Sequence, residues 1–273
     1  MKIAFWNIHK KELSDILVEF LNERQIDILI LAETYGNTVL EFIKKQKLYN
    51  SKRIFNHVSN GKIDLLSIYS RSNFTKENEI IKSPRWESFL IEIPTTIKLN
   101  LFCIHFHSKV NWSEDSLALE CVNLAQDIKA IEAKSGNSNT ILIGDFNMNP
   151  YESGLVAANG LHALPDLNHI SKKANGRIID GIEYKYFYNP MWNFFGNNSK
   201  PFGTYYYREP GHVSKEWNIY DQIIFRPNLS KLIKNNDIKI VDSIGGKSLV
   251  SNLNRPNRSS YSDHLPILLK IKI

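Results

Sequence analysis

Short apolar runs rich in Ile, Leu and Val, each bounded by polar residues, recur along the whole chain. Runs of this length and composition predict buried β-strands. The predicted strands cover residues 3–8, 26–32, 65–69, 88–93, 99–106, 140–144, 220–225, 238–241 and 265–273. No internal repeat or linker rich in Pro, Gly or Ser divides the sequence, so the pattern predicts a single domain over residues 1–273.

Three segments between these runs carry helical periodicity instead. One has its apolar residues on a single helical face, at Leu13, Ile16, Leu17, Phe20 and Leu21. A second helix is expected after Ser113, an N-cap candidate that is followed by two carboxylates in the first turn. Its apolar face is formed by Leu117, Cys121, Leu124, Ile128 and Ile131. A third helix is predicted over residues 38–47.

The predicted strands outnumber the helices, and several follow one another without a helix between them. This order favours two packed sheets with helices outside over a doubly wound parallel sheet. A chain of 273 residues can bury most of its apolar surface, so it needs no disulfide or metal to fold.

Composition and charge exclude only a few classes of protein. With 42% hydrophobic and 23% charged residues the chain is of ordinary globular type, and its net charge of +6 suits an anionic partner. Cys103 and Cys121 lie in an apolar run and a helical pattern, and we interpret both as reduced core residues. Since the N-terminal segment lacks the features of a secretory signal and no run reaches bilayer length, a cytoplasmic protein is expected.

Polar side chains interrupt the apolar runs at particular places. Asn7, Glu33, His105, Asp145 and Asn147 end or follow predicted strands. Asp221, Asp263 and His264 open two others. In sheets of mixed direction, the end of one strand and the start of an antiparallel neighbour lie on the same edge, so these residues are able to converge.

Convergence would bring together four carboxylates, those of Glu33, Asp145, Asp221 and Asp263. Their mutual repulsion is relieved by a hard divalent cation, and Mg²⁺ prefers such oxygen ligands. Asn7, Glu33 and Asp263 would supply oxygen, and no Cys/His cluster indicates zinc. His264, with Asp221 as its candidate carboxylate, has the chemistry of a general base.

The order and spacing of these motifs resemble the endonuclease/exonuclease/phosphatase superfamily, also called DNase I-like. The motifs are NIH at Asn7, LAET at Glu33, IHFHSK at His105, GDFN at Asp145, YDQIIF at Asp221 and SDH at Ser262. The resemblance spans almost the whole chain. It implies an α/β (α+β) fold, a four-layered α/β/β/α sandwich of two mixed, mainly antiparallel sheets flanked by helices.

The resemblance also implies Mg²⁺- or Mn²⁺-dependent cleavage of phosphoester bonds. By position, Glu33 would be a metal ligand, with Asn7 and Asp263 as its partners in the metal site. His264, held by Asp221, would activate the attacking water, while Asp145 and Asn147 orient water and phosphate. His105 would stabilise the phosphoryl oxygens. Whether Asp145 or His264 takes the proton is left open by the sequence.

Departures from the superfamily patterns narrow the branch. Abasic-site endonucleases usually have Tyr where His105 stands, which argues against abasic-site repair. The signal peptide and disulfide of secreted deoxyribonucleases are missing from the sequence pattern, and GDFNMNP lacks the longer motif of inositol-lipid phosphatases. Glu79 and Glu87 are the two candidates for the carboxylate that pairs with His105.

Several nearby residues have two competing interpretations. The aromatic segment 190–217 suits either packing or base stacking, with Tyr205 and Tyr207 facing a substrate and Tyr206 facing inward. Lys109, Arg255 and Arg258 are candidates for phosphate contact or for solvated loop positions. We interpret His9 as a residue at a helix start, and His107 as a core or supporting residue.

The sequence therefore predicts a Mg²⁺-dependent phosphodiesterase, with a nuclease acting on DNA or RNA as the leading hypothesis. The alternatives keep the chemistry but change the substrate, to a phospholipid head group of the sphingomyelin or inositol-phosphate type or to a soluble nucleotide. A non-catalytic binding module is the third hypothesis, disfavoured because every catalytic position holds a competent residue.

Overall fold

The computed structural model describes residues 1–49, 56–58, 65–70, 75–76, 83–92, 97–172, 176–196 and 201–272. The helices are α1 (Ser14–Arg24), α2 (Gly36–Tyr49), α3 (Glu114–Ser135), α4 (Ser153–Val156) and α5 (Leu167–Lys172). Single 3₁₀ turns lie at Pro190–Phe194, Pro227–Lys231 and Asn235–Asp237.

The strands, numbered in chain order, include every run that the apolar pattern predicted. They are β1 (Lys2–Asn7), β2 (Ile28–Ala32), β3 (Asn56–His57), β4 (Leu66–Ser70), β5 (Thr75–Lys76), β6 (Trp86–Glu92), β7 (Lys98–His105), β8 (Thr140–Asp145), β9 (Ala163–Leu164), β10 (Arg177–Ile179), β11 (Ile182–Tyr184), β12 (Phe187–Tyr188), β13 (Tyr205–Tyr207), β14 (Glu216–Asn218), β15 (Asp221–Phe225), β16 (Ile238–Ile240), β17 (Ser243–Ile244), β18 (Lys247–Ser248) and β19 (Ile267–Lys270).

The predicted start of the long helix α3 is confirmed in detail. Ser113 is the N-cap, and its hydroxyl oxygen accepts a hydrogen bond from the backbone N–H of Ser116 at 3.2 Å. Glu114 and Asp115 lie in the first turn, where their negative charges interact favourably with the positive end of the helix dipole. The helix ends at Gly136, whose φ of 64° is the left-handed conformation of a C-terminal cap.

The chain forms two compact units, neither of which is continuous in sequence. The first consists of Met1–Asn73, Asn198–Asp221 and Asn236–Lys272. Its described residues form a mixed sheet in the order β16-β19-β1-β2-β4-β3, in which β1 pairs with β2 in parallel and with β19 antiparallel. Helices α1 and α2 contribute apolar residues such as Leu17, Phe20 and Phe42 to the core that contains Trp6.

The second unit consists mainly of Phe74–Asn197 and Gln222–Asn235. Its described strands form a sheet in the order β5-β6-β7-β8-β15-β12-β9, with β6 antiparallel and β8 parallel to β7. The apolar face of α3 packs in the same core as Phe102 and Leu142, and Leu124 at the centre of that face is fully buried. Each unit thus combines one mixed sheet with helices.

Both cysteines have the character expected from the sequence. Cys103 on β7 and Cys121 on α3 are free and completely buried. Burial raises the pKa of both thiols well above the ordinary value, so they pack as small apolar side chains. Among the described residues, no helix has the length and apolar character to cross a bilayer.

Candidate active site

The candidate residues fall in both units, and the first unit holds those at the ends of β1 and β2. These strands are parallel, with Asn7 in register with Ala32, so Asn7 and Glu33 emerge at the same edge of the sheet. The carboxamide nitrogen of Asn7 donates to Glu33 Oε1 at 3.1 Å, and its oxygen accepts from the backbone N–H of His9 at 3.0 Å. Asn7 therefore orients the Glu33 carboxylate.

The SDH segment is anchored to the same edge, although it lies 255 residues further along the chain. The Ser262 hydroxyl donates to the backbone carbonyl of Asn7 at 2.6 Å and accepts from the backbone N–H of His264 at 3.1 Å. The indole N–H of buried Trp6 donates to the carbonyl of His264 at 2.9 Å. These bonds hold the residues after Ser262 in a fixed position beside β1.

His264 and Asp221 form a buried pair in the first unit. His264 Nδ1 lies 2.8 Å from Asp221 Oδ2, and the backbone N–H of Asp221 donates to the Thr204 hydroxyl at 3.1 Å. A carboxylate at Nδ1 fixes the tautomer in which Nδ1 carries the proton, so Nε2 is the acceptor. This is the arrangement that a general base requires, and it is the pairing that the sequence predicted.

Tyr205 lies directly against this pair. Its backbone forms an antiparallel bridge with His264, and the two rings are 4.7 Å apart. The Tyr205 ring also stacks on Tyr220, with 5.2 Å between centroids. Tyr205 therefore packs against the imidazole of His264.

The next two tyrosines alternate in direction, as residues of a strand must. Tyr206 packs edge-on against Trp217 and donates its hydroxyl to Glu216 at 3.0 Å, whereas Tyr207 is exposed. Burial, and then the bond to Glu216, raise the pKa of the Tyr206 phenol. The guanidinium of Arg255 lies 4.2 Å over the Tyr206 ring, so this arginine is partly committed to packing.

His9 lies beside the candidate site residues Glu33 and Asp263, a position that the sequence interpretation missed. It does not start a helix, since α1 begins at Ser14, and it has a left-handed backbone with φ 48°. Its Nδ1 lies 3.5 Å from Asp263 Oδ1 and 3.7 Å from Glu33 Oε2. The signal that could have found it was its place two residues after Asn7, within the NIH motif.

Arg258 completes this acidic cluster on its solvent side. Its Nε lies 3.8 Å from Asp263 Oδ2, and its terminal nitrogen lies 3.4 Å from His9 Nε2. The cluster thus joins carboxylates from two distant parts of the sequence with one guanidinium and one imidazole.

The first-unit residues fit a hard divalent cation. The oxygens of Glu33 and Asp263 both point toward the same ring nitrogen of His9, so two carboxylates converge on one place. In addition, Asp221 Oδ1 is buried and has no hydrogen-bond partner among the described residues. Oxygen donors of this kind suit Mg²⁺ or Mn²⁺, which would use Glu33 and Asp263 with Asn7 supporting Glu33.

The second unit places His105 and Asp145 side by side. They are in register on the parallel strands β7 and β8, so their side chains share one face of the sheet. Glu87 on the antiparallel strand β6 is in register with Cys103 on β7. It is therefore a diagonal neighbour of His105 on that same face. Both Glu87 and His105 are buried. Glu79, the other proposed partner of His105, lies outside the described residues.

Asn147 turns the chain immediately after Asp145. Its backbone N–H donates to Asp145 Oδ1 at 2.8 Å, and its carboxamide nitrogen donates to the carbonyl of Phe106 at 3.0 Å. Its φ of 50° lies in the left-handed region, which asparagine tolerates better than most residues. The GDFN segment is therefore a rigid turn that fixes the Asp145 carboxylate.

Lys109 is held by the loop that follows GDFN. Its ammonium bonds both oxygens of Glu152, at 2.6 and 2.5 Å, and Glu152 also accepts from the backbone N–H of Asn149 at 2.9 Å. Glu152 was not anticipated from the sequence. Because this carboxylate is buried, it neutralises much of the charge that Lys109 would offer to a phosphate.

Gly144, the glycine of GDFN, lies where any side chain would collide with the neighbouring strand. Gly144 pairs with Ile104, and a Cβ built on it would lie 2.0 Å from the Ile104 carbonyl oxygen, at a φ of +154°. We expect Gly144→Ala to lower the free energy of unfolding by about 2 kcal/mol or more, because the neighbouring backbone must shift. Urea unfolding measures this. Gly196→Ala, where a Cβ meets open space, is the matched control, and equal stability of the two variants would contradict the steric account.

Comparison with known proteins gives the fold. No protein-family model and no curated protein matches the chain. Among solved structures, an endonuclease/exonuclease/phosphatase family protein from Leptotrichia buccalis is similar over 100% of both chains, at 18% identity and a TM-score of 0.55. Truncated Caenorhabditis elegans TDP2 covers 100% of this chain and 97% of its own, at 15% identity and a TM-score of 0.58.

A third similar structure is the endonuclease domain of TRAS1, a telomere-specific non-LTR retrotransposon. It covers 100% of this chain and 98% of its own, at 13% identity and a TM-score of 0.56. The chain therefore has the endonuclease/exonuclease/phosphatase, or DNase I-like, fold. This confirms the fold class predicted from the motifs, with its two mixed sheets and their helices.

Proposed function

We propose that the protein is a divalent-metal-dependent phosphodiesterase that hydrolyses nucleic acid. The observation that carries the proposal is the buried Asp221–His264 pair, which lies in the same unit as the converging carboxylates of Glu33 and Asp263. A histidine paired with a carboxylate can activate a water molecule, and a nearby cation can stabilise the phosphodiester that this water attacks.

In this mechanism His264 Nε2 accepts the proton of the attacking water. Asp221 keeps the proton on Nδ1 and stabilises the imidazolium that results. The position of the ring is restrained, because Trp6 and Ser262 bond to the His264 backbone and Tyr205 packs beside the imidazole. The pair is buried, so its charges act in a weakly screened environment.

Glu33 and Asp263 would hold Mg²⁺ or Mn²⁺, with Asn7 orienting Glu33. When bound, such an ion neutralises charge on the phosphate oxygens and helps the leaving oxygen depart. Arg258 lies at the edge of this cluster and is proposed to contact a phosphate oxygen. Tyr205, Tyr207, Arg255 and Lys109 remain candidates for substrate binding, although Lys109 is paired and Arg255 is stacked.

Asp145, Asn147 and His105 are proposed to serve the same reaction, the first two by orienting water and phosphate and the last by stabilising the phosphoryl oxygens. Two observations support these roles. They are the order of the motifs in the sequence and the hydrogen bond from the Asn147 backbone N–H that fixes the Asp145 carboxylate. We propose that residues 1–273 act as one catalytic domain, since neither unit alone contains all the motif residues.

Nucleic acid is favoured as the substrate class by the net charge of +6 and by the similarity of the fold to an endonuclease domain, that of TRAS1. A polyanionic substrate gains affinity from this excess of Lys and Arg at low salt.

Hydrolysis of a substrate panel tests the proposal. Single- and double-stranded DNA, RNA, bis-p-nitrophenyl phosphate, sphingomyelin and inositol phosphates are each incubated with Mg²⁺, Mn²⁺ or EDTA. We expect the nucleic acids and the synthetic diester to be cleaved with either metal and to be stable in EDTA. Turnover that survives EDTA would exclude the metal mechanism, and cleavage of the lipid or inositol substrates alone would exclude a nuclease.

A further inference from the structure

The second unit contains a cavity of about 710 Å³ that none of the proposed catalytic residues lines. It lies between the residues at the start of β6, the loop after β7 and one side of α3. The lining residues that matter for its chemistry are Arg85, Trp86, Trp112, Asn123, Gln126 and Asp127. A cavity of this size accommodates a flat ring system of the size of a nucleobase together with its sugar.

One wall of the cavity is an aromatic ring that is already fixed in place. Trp112 stacks on His107 with 3.7 Å between ring centroids and an angle of 6° between their planes. His107 in turn is held through Nδ1 by Glu120 at 2.5 Å. Trp112 remains 36% exposed, so part of its ring is available to a ligand. Because the Trp112 ring is already held in place, the binding of a stacking ligand would cost little free energy for ordering this side chain.

The other walls present hydrogen-bonding groups of both kinds. Asn123, Gln126 and Asp127 follow the i, i+3, i+4 spacing on one side of α3, so they face the cavity together. The Trp86 indole N–H donates to Asp127 Oδ2 at 2.8 Å, which fixes the carboxylate. Nε of Arg85 is buried without a hydrogen-bond partner among the described residues.

The charges disfavour a bare phosphate as the ligand. Glu120 and Asp127 bring two carboxylates to the cavity against the single guanidinium of Arg85. Burial raises the pKa of Asp127 and lowers that of Arg85, which shows that the surroundings penalise isolated charge. Amide and carboxylate side chains instead match the ring nitrogens and exocyclic amino groups of bases.

We propose that this cavity binds one unpaired nucleobase of the nucleic-acid substrate, stacked on Trp112 and hydrogen-bonded by the polar side chains of α3. The inference rests on the proposed function, and it adds that the substrate has a single-stranded segment. A base within an intact duplex is stacked on both faces and paired with one partner, so it cannot enter the cavity without being extruded.

The test separates binding from hydrolysis. Affinity for a fluorescent single-stranded oligonucleotide and for its duplex is measured by anisotropy in EDTA, where no metal-dependent cleavage occurs. Trp112→Ala is expected to weaken single-strand binding by about 5- to 150-fold, the equivalent of about 1–3 kcal/mol of base stacking. Trp112→Phe keeps a ring and is expected to retain most of the affinity. Val110→Ala, a strongly exposed position in the same loop, is the matched control.

The other outcomes are equally decisive. Wild-type single-strand affinity in Trp112→Ala would overturn the proposal, and so would an equal loss for single strand and duplex. The double variant Asn123→Ala with Gln126→Ala, at two exposed positions, is expected to change the preference among oligonucleotides of different base composition. Hydrolysis of bis-p-nitrophenyl phosphate should be unchanged in all these variants. If the wild-type protein hydrolyses no phosphoester at all, the proposed function fails, while the binding comparison still decides the role of the cavity.

Discussion

Replacing His264 by alanine is expected to lower kcat on a phosphodiester by about 10²–10⁴-fold, the usual contribution of a positioned general base. The reason is that the Asp221 carboxylate at Nδ1 leaves Nε2 as the acceptor for the proton of the attacking water. Steady-state hydrolysis of bis-p-nitrophenyl phosphate measures the effect, because this small diester depends little on extended substrate contacts.

Two further variants make this prediction specific. Asp221→Asn keeps the size of the side chain but favours the other imidazole tautomer, so kcat is expected to fall by about 10²-fold or more. His169→Ala removes an exposed histidine from α5 and should leave kcat unchanged. Thermal unfolding checks that His264→Ala and Asp221→Asn are folded. Wild-type kcat in folded His264→Ala would refute its role and would direct attention to Asp145, the other proton acceptor that the motifs allow.

The second large effect is expected at the cation site. Glu33→Gln keeps the length of the side chain and removes one of the two carboxylates that converge beside His9. Its affinity for Mn²⁺ should fall by at least about tenfold, and activity should require a correspondingly higher metal concentration. Calorimetric titration of the metal-free protein with Mn²⁺ measures the affinity directly, and a metal titration of hydrolysis measures its functional consequence.

Glu183→Gln serves as the control, since it removes an exposed carboxylate from β11 in the other unit. If Glu33→Gln and Glu183→Gln bind Mn²⁺ as tightly as the wild type, the cation site is not at Glu33. If Glu33→Gln loses metal affinity but keeps full activity at every metal concentration, the ion is structural and the proposed mechanism is wrong.

Much of the fold was predictable because the central strands of its two large sheets are buried on both sides. Residues such as those of β1, β2 and β8 read as unbroken apolar runs, and each ends where a polar residue reaches the edge of the sheet. The N-cap at Ser113 was predictable because its signal is local, consisting of a hydroxyl followed by two carboxylates.

The short pairs β10–β11 and β13–β14 were not predicted. Their strands have only three residues each, and most of their positions are exposed or half-buried, so they lack the buried apolar run on which strand prediction depends. Pairing between segments that are so short depends on the turn and on neighbours distant in sequence, neither of which a hydrophobic pattern reports.

The residues of the candidate site also include some that the sequence predicted and others that it missed. Asp221 and His264 were predictable as a pair because each opens an apolar strand segment within a recognisable motif. His9 was missed because its position depends on two successive left-handed residues, His9 and Lys10, which turn the backbone so that the Lys10 N–H donates to the Glu33 carbonyl at 2.8 Å. Such a turn carries no glycine to announce it. The Lys109–Glu152 pair was missed because it joins loops 43 residues apart.

The position of β1 between β2 and β19 bears on the order in which the protein matures during synthesis. One edge of this strand pairs with β2, which is close in sequence, but the other pairs with β19, and the Ser262 hydroxyl can reach Asn7 only after residue 262 has left the ribosome. Closing so large a loop is entropically costly and slow compared with local helix formation. Nascent chains that stop before residue 262 would thus lack Asp263 and His264, so neither the buried Asp221–His264 pair nor the second carboxylate beside His9 could form before that segment is synthesised.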